Sequence, residues 1–480
     1  MNYRMLGYLF GVLLSIEAAL LLLPLVAAAV LGESPLPFLY TIAILLAVAI
    51  PLILFRPKDD RRFYAREGFV CAAGSWILLS LFGSLPFLFS GAIPSFVDAF
   101  FETVSGFTTT GASILTDIES LPKGVLLWRS LSHWVGGMGV LMFMLAILPT
   151  DNSRSMHLLR AEVPGPMKGK LVPRLRETAM ILYGIYIALT LLELIVLLIT
   201  GLSFYDSLVT ALATAGTGGF SVLNTSIAGY ANPAAEWIIA VFMLLFGINF
   251  NLYFFLLLGR VRDVLRSEEF RVYLLIVIAA TTVIVINTLS LFSSFAEALR
   301  ASFFQVTSVM STTGFMTADY NTWPMLSKAV LLLLLILGGS QGSTAGGLKI
   351  SRVIILFKNA MREVRHVLRP RSVNVTRLDG EVLPEETVRT TSNYLLMYCL
   401  VFLAGTLLIS VDGASIEATV TATLTCLSNV GPGFGECGPA ASFAFFSPFS
   451  KIVLSLEMLI GRLEIFPMLI FFAPSTWKKM

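Results

Sequence analysis

Uninterrupted apolar stretches of bilayer-crossing length recur along this sequence, and they leave few architectures open. Two open the chain, at about 5–31 and 36–55, and others begin near 68, 178, 271 and 391. A helix crosses the hydrocarbon core with ~20 apolar residues, and a segment in lipid must satisfy its own backbone polar groups, so only helices and closed barrels span. Barrel strands alternate apolar and polar residues; these runs do not. The chain reads as an all-α polytopic membrane protein. Its 13% charged residues and mean hydropathy of +0.84 agree, since a soluble domain carries about 25% charge. The first run continues through Ala29 with no polar cleavage region, so no removable signal is expected.

A small-residue motif recurs four times between these runs: Thr108-Thr-Thr-Gly-Ala-Ser113, Thr217-Gly-Gly-Phe-Ser221, Ser311-Thr-Thr-Gly-Phe-Met-Thr317 and Asn429-Val-Gly-Pro-Gly-Phe-Gly435. Each follows a short, Thr- and Ser-rich amphipathic stretch, at 95–106, 204–216, 296–310 and 415–428. The pattern predicts spanning helix, short helix, glycine loop and return helix, four times over. The return helices are expected at about 125–149, 236–258, 328–357 and 450–473. The expected units are 1–60 (two N-terminal transmembrane helices) and pore repeats at 66–150, 175–262, 268–360 and 388–476.

Loop charge supplies an independent topology. Residues 56–66 carry five Lys/Arg, 151–176 six, 260–271 four and 349–389 nine, whereas 201–236 and 411–450 carry none. By the positive-inside rule the connectors between copies are cytoplasmic and every glycine loop is external. Ten spanning helices plus four re-entrant hairpins satisfy this with both termini inside, and Lys478 and Lys479 agree. The short helices are too short to span, and a loop at membrane depth survives only inside protein or beside water. Four of them entering from one face imply a shared pore around a pseudo-fourfold axis. Their C-terminal dipole ends then favour cations at its centre.

Glycine accepts the backbone angles that turn successive carbonyls to one side, and convergent rings of carbonyls can replace an ion's hydration shell. The candidate ion-binding residues are therefore Thr109, Thr110, Gly111; Thr217, Gly218, Gly219; Thr312, Thr313, Gly314; and Asn429, Val430, Gly431. In the second copy the equivalent glycine is either Gly218 or Gly219. The stretch Gly338-Gly-Ser-Gln-Gly-Ser-Thr-Ala-Gly-Gly347 interrupts a return helix, each glycine costing about 1 kcal/mol in a helix interior. The candidate gate is Gly338, Gly339, Gly342, Ser343, Thr344, Gly346 and Gly347, with Arg462 as a positive barrier in the pore. The competing reading for Arg462 is a salt bridge to Glu464 or another acid. Glu17 and Glu193 read as helix-to-helix hydrogen-bonding groups. The Trp134-Val-Gly-Gly-Met-Gly139 run reads as close helix packing. Cys71, Cys399, Cys426 and Cys437 have no metal-like spacing and read as small buried residues, with a Cys426–Cys437 disulfide left open. His133, His157 and His366 suggest neither a metal site nor a catalytic dyad.

Together, the four glycine motifs with Gly342-Ser-Thr-Ala-Gly-Gly-Leu-Lys349 and Gly461-Arg-Leu-Glu-Ile-Phe466 resemble the Trk/Ktr/HKT superfamily of potassium transporters. The two extra N-terminal helices are nearest its TrkH-type bacterial branch. The resemblance implies a selectivity filter at the four glycines, a gate at 338–347 and Arg462 as the pore arginine. It also implies a homodimer in the bacterial inner membrane, a cytosolic TrkA-type NAD/ATP-binding regulatory ring, and K+ as the transported ion. Neither an organic cofactor nor a nucleic-acid partner is expected. Ala112 departs from the pattern, standing where other copies have Phe315 or Pro432. The expected function is potassium uptake. The alternatives are a potassium–sodium symporter or sodium-permeable relative, an intramembrane serine enzyme using Ser343 or Ser311, and a purely structural scaffold.

Overall fold

The structure is a computed structural model and describes residues 1–55, 64–139, 175–371 and 374–478. Most of the basic loop at 56–66, nearly all of that at 151–176, positions 140–149, His157 and Lys479 lie outside the described residues. Beyond short 3-10 turns and a ribbon of β1 (Arg377–Leu378) and β2 (Glu381–Val382), the described elements are helices. They run α1 (Tyr3–Leu20), α2 (Leu22–Val30), α3 (Leu36–Leu54), α4 (Ala65–Gly83), α5 (Leu85–Phe89), α6 (Phe96–Phe107) and α7 (Lys123–Gly137). Next come α8 (Leu175–Ile199), α9 (Phe204–Gly216), α10 (Pro233–Phe246), α11 (Phe250–Leu257), α12 (Val261–Arg266), α13 (Glu268–Thr288) and α14 (Phe295–Met310). The last are α15 (Met325–Leu337), α16 (Ile350–Leu368), α17 (Glu385–Ile409), α18 (Ile416–Ser428), α19 (Pro448–Arg462), α20 (Phe466–Phe472) and α21 (Pro474–Trp477).

Six described stretches are long and apolar enough to span: Tyr3–Val30, Leu36–Leu54, Ala65–Phe89, Glu177–Ile199, Glu268–Leu291 and Glu385–Asp412. Their outer faces carry exposed apolar residues such as Leu191, Ile195, Leu275, Ile278, Leu403 and Leu407, as lipid contact requires. Among the described residues, ten continuous spanning helices are not found. The segment expected at 236–258 is two helices, α10 and α11, bent by 91°. That expected at 328–357 is broken between α15 and α16, and that at 450–473 breaks at Leu463–Ile465. Hydropathy measures composition along the chain, not direction, so an apolar run with a capped break inside reads as one span. Here Asn249 Oδ1 accepts from Asn251 N at 3.0 Å and starts α11, while Glu464 and Ile465 take positive φ of 54° and 70°.

The four short helices α6, α9, α14 and α18 lie within the bundle, and their C-terminal halves are buried. Each begins at a serine (Ser95, Ser203, Ser294, Ser415) whose hydroxyl accepts a first-turn backbone N–H. Asp98, Asp206, Glu297 and Glu417 stand in those first turns, complementing the positive end of each helix. A serine cap followed by an acid is why these segments start where the sequence places them.

Candidate functional site

All four short helices end in the same way. A residue in the left-handed region follows the last turn: Thr109 (φ 55°), Thr217 (54°), Thr312 (58°) and Asn429 (55°). Two residues later comes a glycine of positive φ: Gly111 (81°), Gly219 (77°), Gly314 (83°) and Gly431 (101°). The residue between them bonds back five positions into its helix, Thr110 to Ser105 O, Gly218 to Ala213 O, Thr313 to Ser308 O and Val430 to Thr425 O, at 2.8–3.0 Å. These are Schellman-type ends, with Thr or Asn where glycine is usual. A left-handed β-branched residue is an outlier, and each such strain costs about 1–3 kcal/mol, a pattern that clusters at functional sites. The common register makes Gly219 the equivalent of the other three glycines and places Gly218 at the middle position.

The loops close into a ring. A methyl group at Gly111 would overlap Gly218 O, one at Gly219 would overlap Thr313 O, one at Gly314 would overlap Val430 O, and one at Gly431 would sit 2.6 Å from Thr110 O. The first loop thus meets the second, the second the third, the third the fourth and the fourth the first. Asn429 ties the last seam, its Nδ2 donating to Thr110 Oγ1 at 3.0 Å and to Met458 O at 2.9 Å. All twelve residues named for the filter fall on this ring.

Behind the ring each exit limb is pinned. In the third loop Ser308 Oγ donates to Phe315 O at 2.7 Å, and in the fourth Thr425 Oγ1 donates to Pro432 O at 3.2 Å. In the first, Glu102 accepts from Ser113 Oγ and Ile114 N, both at 3.0 Å. Glu102 also pairs with Arg129 at 2.8 Å, both side chains being fully buried. Past the loops, Asn224 joins the first two repeats, donating to Asp117 at 3.1 Å and accepting from Ile118 N at 2.7 Å. That bond from the Asn224 amide, helped by Ser120, holds the exposed Asp117 carboxyl below its usual range.

The glycine-rich break at 338–349 lies directly against the ring. Gly346 N donates to Thr312 Oγ1 at 2.7 Å, and a methyl at Gly346 would overlap Ser428 O. The rest is held by the second repeat and by α13 of its own. Ser340 N donates to Gly247 O (2.9 Å), Phe250 N to Gly342 O (3.0 Å), and Thr344 Oγ1 to Phe246 O (3.2 Å). Glu269 accepts from Gln341 N and Ser351 N at 2.7 and 3.1 Å. Gly338 packs on Gly346 and Gly347, Gly339 on Ala345, and Ser343 Oγ donates to Ser340 O at 2.6 Å. The α10–α11 bend, which the sequence reading missed, is what grips this loop.

Arg462 donates to Thr344 O at 2.9 Å and to Gly136 O and Gly137 O, both at 2.6 Å, linking the glycine-rich loop to the end of α7. Glu464 bonds Arg352, whose guanidinium lies 4.1 Å from the Tyr394 ring centre. Glu17 is buried beside Gly83 and makes no hydrogen bond among the described residues, contrary to expectation. Glu193 is likewise buried and makes no hydrogen bond among the described residues, though it lies near Thr214 of α9. Gly136 and Gly137 pack tightly against Phe107 and Gly216, so the Trp134–Gly139 run is a close-packing surface. None of the four cysteines forms a disulfide; Cys71, Cys426 and Cys437 are buried, whereas Cys399 is exposed. His133, passed over in the sequence, contacts the second loop; its position one turn after Arg129 on α7 is the only signal that pointed there.

Comparison with known proteins is consistent along the whole chain. The family model for TrkH, described as cation transport protein, matches residues 37–479. The chain is 36% identical over 488 residues to the Trk system potassium uptake protein TrkH of Escherichia coli K12, covering 100% of both. It is 31% identical to the same organism's TrkG, with 99% of each covered. The crystal structure of the potassium transporter TrkH from Vibrio parahaemolyticus superposes with a TM-score of 0.89 at 31% identity, covering 100% of both chains.

Proposed function

This chain belongs to the TrkH family of cation transport proteins, and from that premise we propose that it takes up potassium through the four-loop ring. A multi-pass membrane protein of a transport family needs a path for its ion. The supporting observation is the closed ring of four identical left-handed–X–glycine turns. Such turns aim main-chain oxygens at one axis, where they replace the water around a dehydrated cation. Hydroxyl, carboxylate and imidazole pins behind the ring hold that shape.

The loop at 338–347 is the gate. It sits under the ring, is built of residues that permit large backbone changes, and is held by single hydrogen bonds that can be exchanged. Arg462, anchored on both the gate and α7, adds positive charge beneath the filter and slows cations. A serine nucleophile has no support, since Ser311 and Ser343 are engaged with neighbouring hydroxyl or carbonyl groups and neither hydroxyl contacts a described imidazole. The membrane is the bacterial inner membrane, with both termini cytoplasmic. Relatives named as part of a Trk system support a membrane subunit that works in a complex; in the proposed assembly it pairs as a homodimer and docks a cytosolic nucleotide-binding ring of the TrkA type.

Purified protein in liposomes tests the reading. K+ or Rb+ influx should exceed Na+ influx, and Gly314→Ser, whose side chain meets Val430 O, should erode that preference. Equal K+ and Na+ flux in the parent, or an unaltered ratio in the variant, rejects it.

A further inference from the structure

The second loop lacks the hydroxyl pin of the third and fourth loops and the middle-position side chain that all three counterparts carry. Six residues before Gly314 and Gly431 stand Ser308 and Thr425, whose hydroxyls pin the exit limb; the same register holds Ala213. At the middle position, where the others carry Thr110, Thr313 and Val430, it has Gly218. In the first and third loops that threonine hydroxyl bonds a neighbouring one, Thr108 to Thr110 at 2.8 Å and Ser311 to Thr313 at 2.7 Å.

The vacated space is filled from another repeat. A methyl at Gly218 would overlap the His133 ring, and one at Gly216 would overlap His133 O. The ring is fully buried and uses both nitrogens. Nδ1 lies 2.7 Å from Gly106 O, at the end of α6, and Nε2 lies 3.3 Å from Phe220 N, on the exit limb. A carbonyl only accepts and an amide N–H only donates, so Nδ1 carries the proton and Nε2 does not. The contacts fix one neutral tautomer. Phe220 is held by two side chains of α7, its ring 4.1 Å from the imidazole and 4.0 Å from the Arg129 guanidinium.

We infer that His133 is the positioning residue that shapes the second filter loop, replacing the hydroxyl pin and the middle side chain that this loop lacks, and so helps set its ion preference. The inference rests on the filter reading proposed above. It explains why one loop tolerates Gly-Gly without losing shape: α7 of the first repeat supplies the missing wall.

The test is the K+/Na+ flux ratio in liposomes for the parent, His133→Ala, Gly218→Thr and the double variant. His133→Ala should lower the ratio by about tenfold, the scale of one lost buried hydrogen bond. Gly218→Thr alone should also lower it, because the new side chain strikes the ring. The double variant should recover part of the ratio, since threonine then fills the space the imidazole left. A parental ratio in His133→Ala, or a double variant no better than either single, overturns the inference. A parent without K+ preference rejects the filter reading instead. Should His133→Ala fail to reach the membrane, 15N-histidine spectra of the parent in bilayers decide. With His157 and His366 replaced by glutamine, the remaining imidazole should be protonated at Nδ1 only; an Nε2–H or doubly protonated ring at neutral pH overturns it.

Discussion

Asn429 shows how much one side chain at the ring carries. It occupies the left-handed position that threonine fills in the other loops, and asparagine tolerates that region better than a β-branched residue. Its amide also closes the seam between the fourth and first loops. Asn429→Gly keeps the backbone conformation but removes both donors. We expect thermal unfolding in detergent to show a loss of about 1–3 kcal/mol, together with a reduced K+/Na+ ratio; unchanged stability would show the seam to be idle. Glu102 is a sharper case, because its partner Arg129 is as deeply buried as it is. Glu102→Gln leaves a buried charge uncompensated, a change that costs about 3–5 kcal/mol, and the same melting measurement should show the variant far less stable than Asn429→Gly.

Among elements, the glycine-rich loop proposed as the gate shares its anchors with three neighbours: the α10–α11 bend, α13 through Glu269, and α19 through Arg462. Removing one anchor should therefore loosen the loop without unfolding the bundle. Arg462→Ala is expected to raise K+ flux by about tenfold, equivalent to roughly 1.4 kcal/mol off the barrier, with little change in K+/Na+ ratio, because the arginine bonds the glycine-rich loop and α7. Flux equal to the parent's in a folded variant would assign Arg462 a purely structural role. Shortening 338–347 by a few residues should act in the same direction, and flux that stays low would show that the loop does not obstruct the path.

For the whole molecule, the ring is assembled from segments hundreds of positions apart in sequence, so an ion held at its centre binds the folded state alone. Ligand binding of that kind stabilises by about 2.7 kcal/mol when the ion is at 100 times its dissociation constant. The melting temperature should therefore rise with K+ and not with choline at equal ionic strength. A melt insensitive to K+ would argue against a dehydrated site.

The sequence alone determined that the chain is a helical membrane protein, where its four short helices begin and end, and which twelve residues to place together. Each of those features is local: apolar length, a serine cap with a following acid, a turn whose glycine must take positive φ. The glycine-rich stretch likewise announced its own break. Only the tertiary structure decided between Gly218 and Gly219, bent α10 against α11, paired Glu464 with Arg352, and brought His133 behind a loop of another repeat. The reason is physical. Hydropathy and turn chemistry are written in neighbouring residues, whereas a bend within an apolar run, the partner of a buried charge and the filling of a missing side chain depend on atoms that folding alone brings into contact.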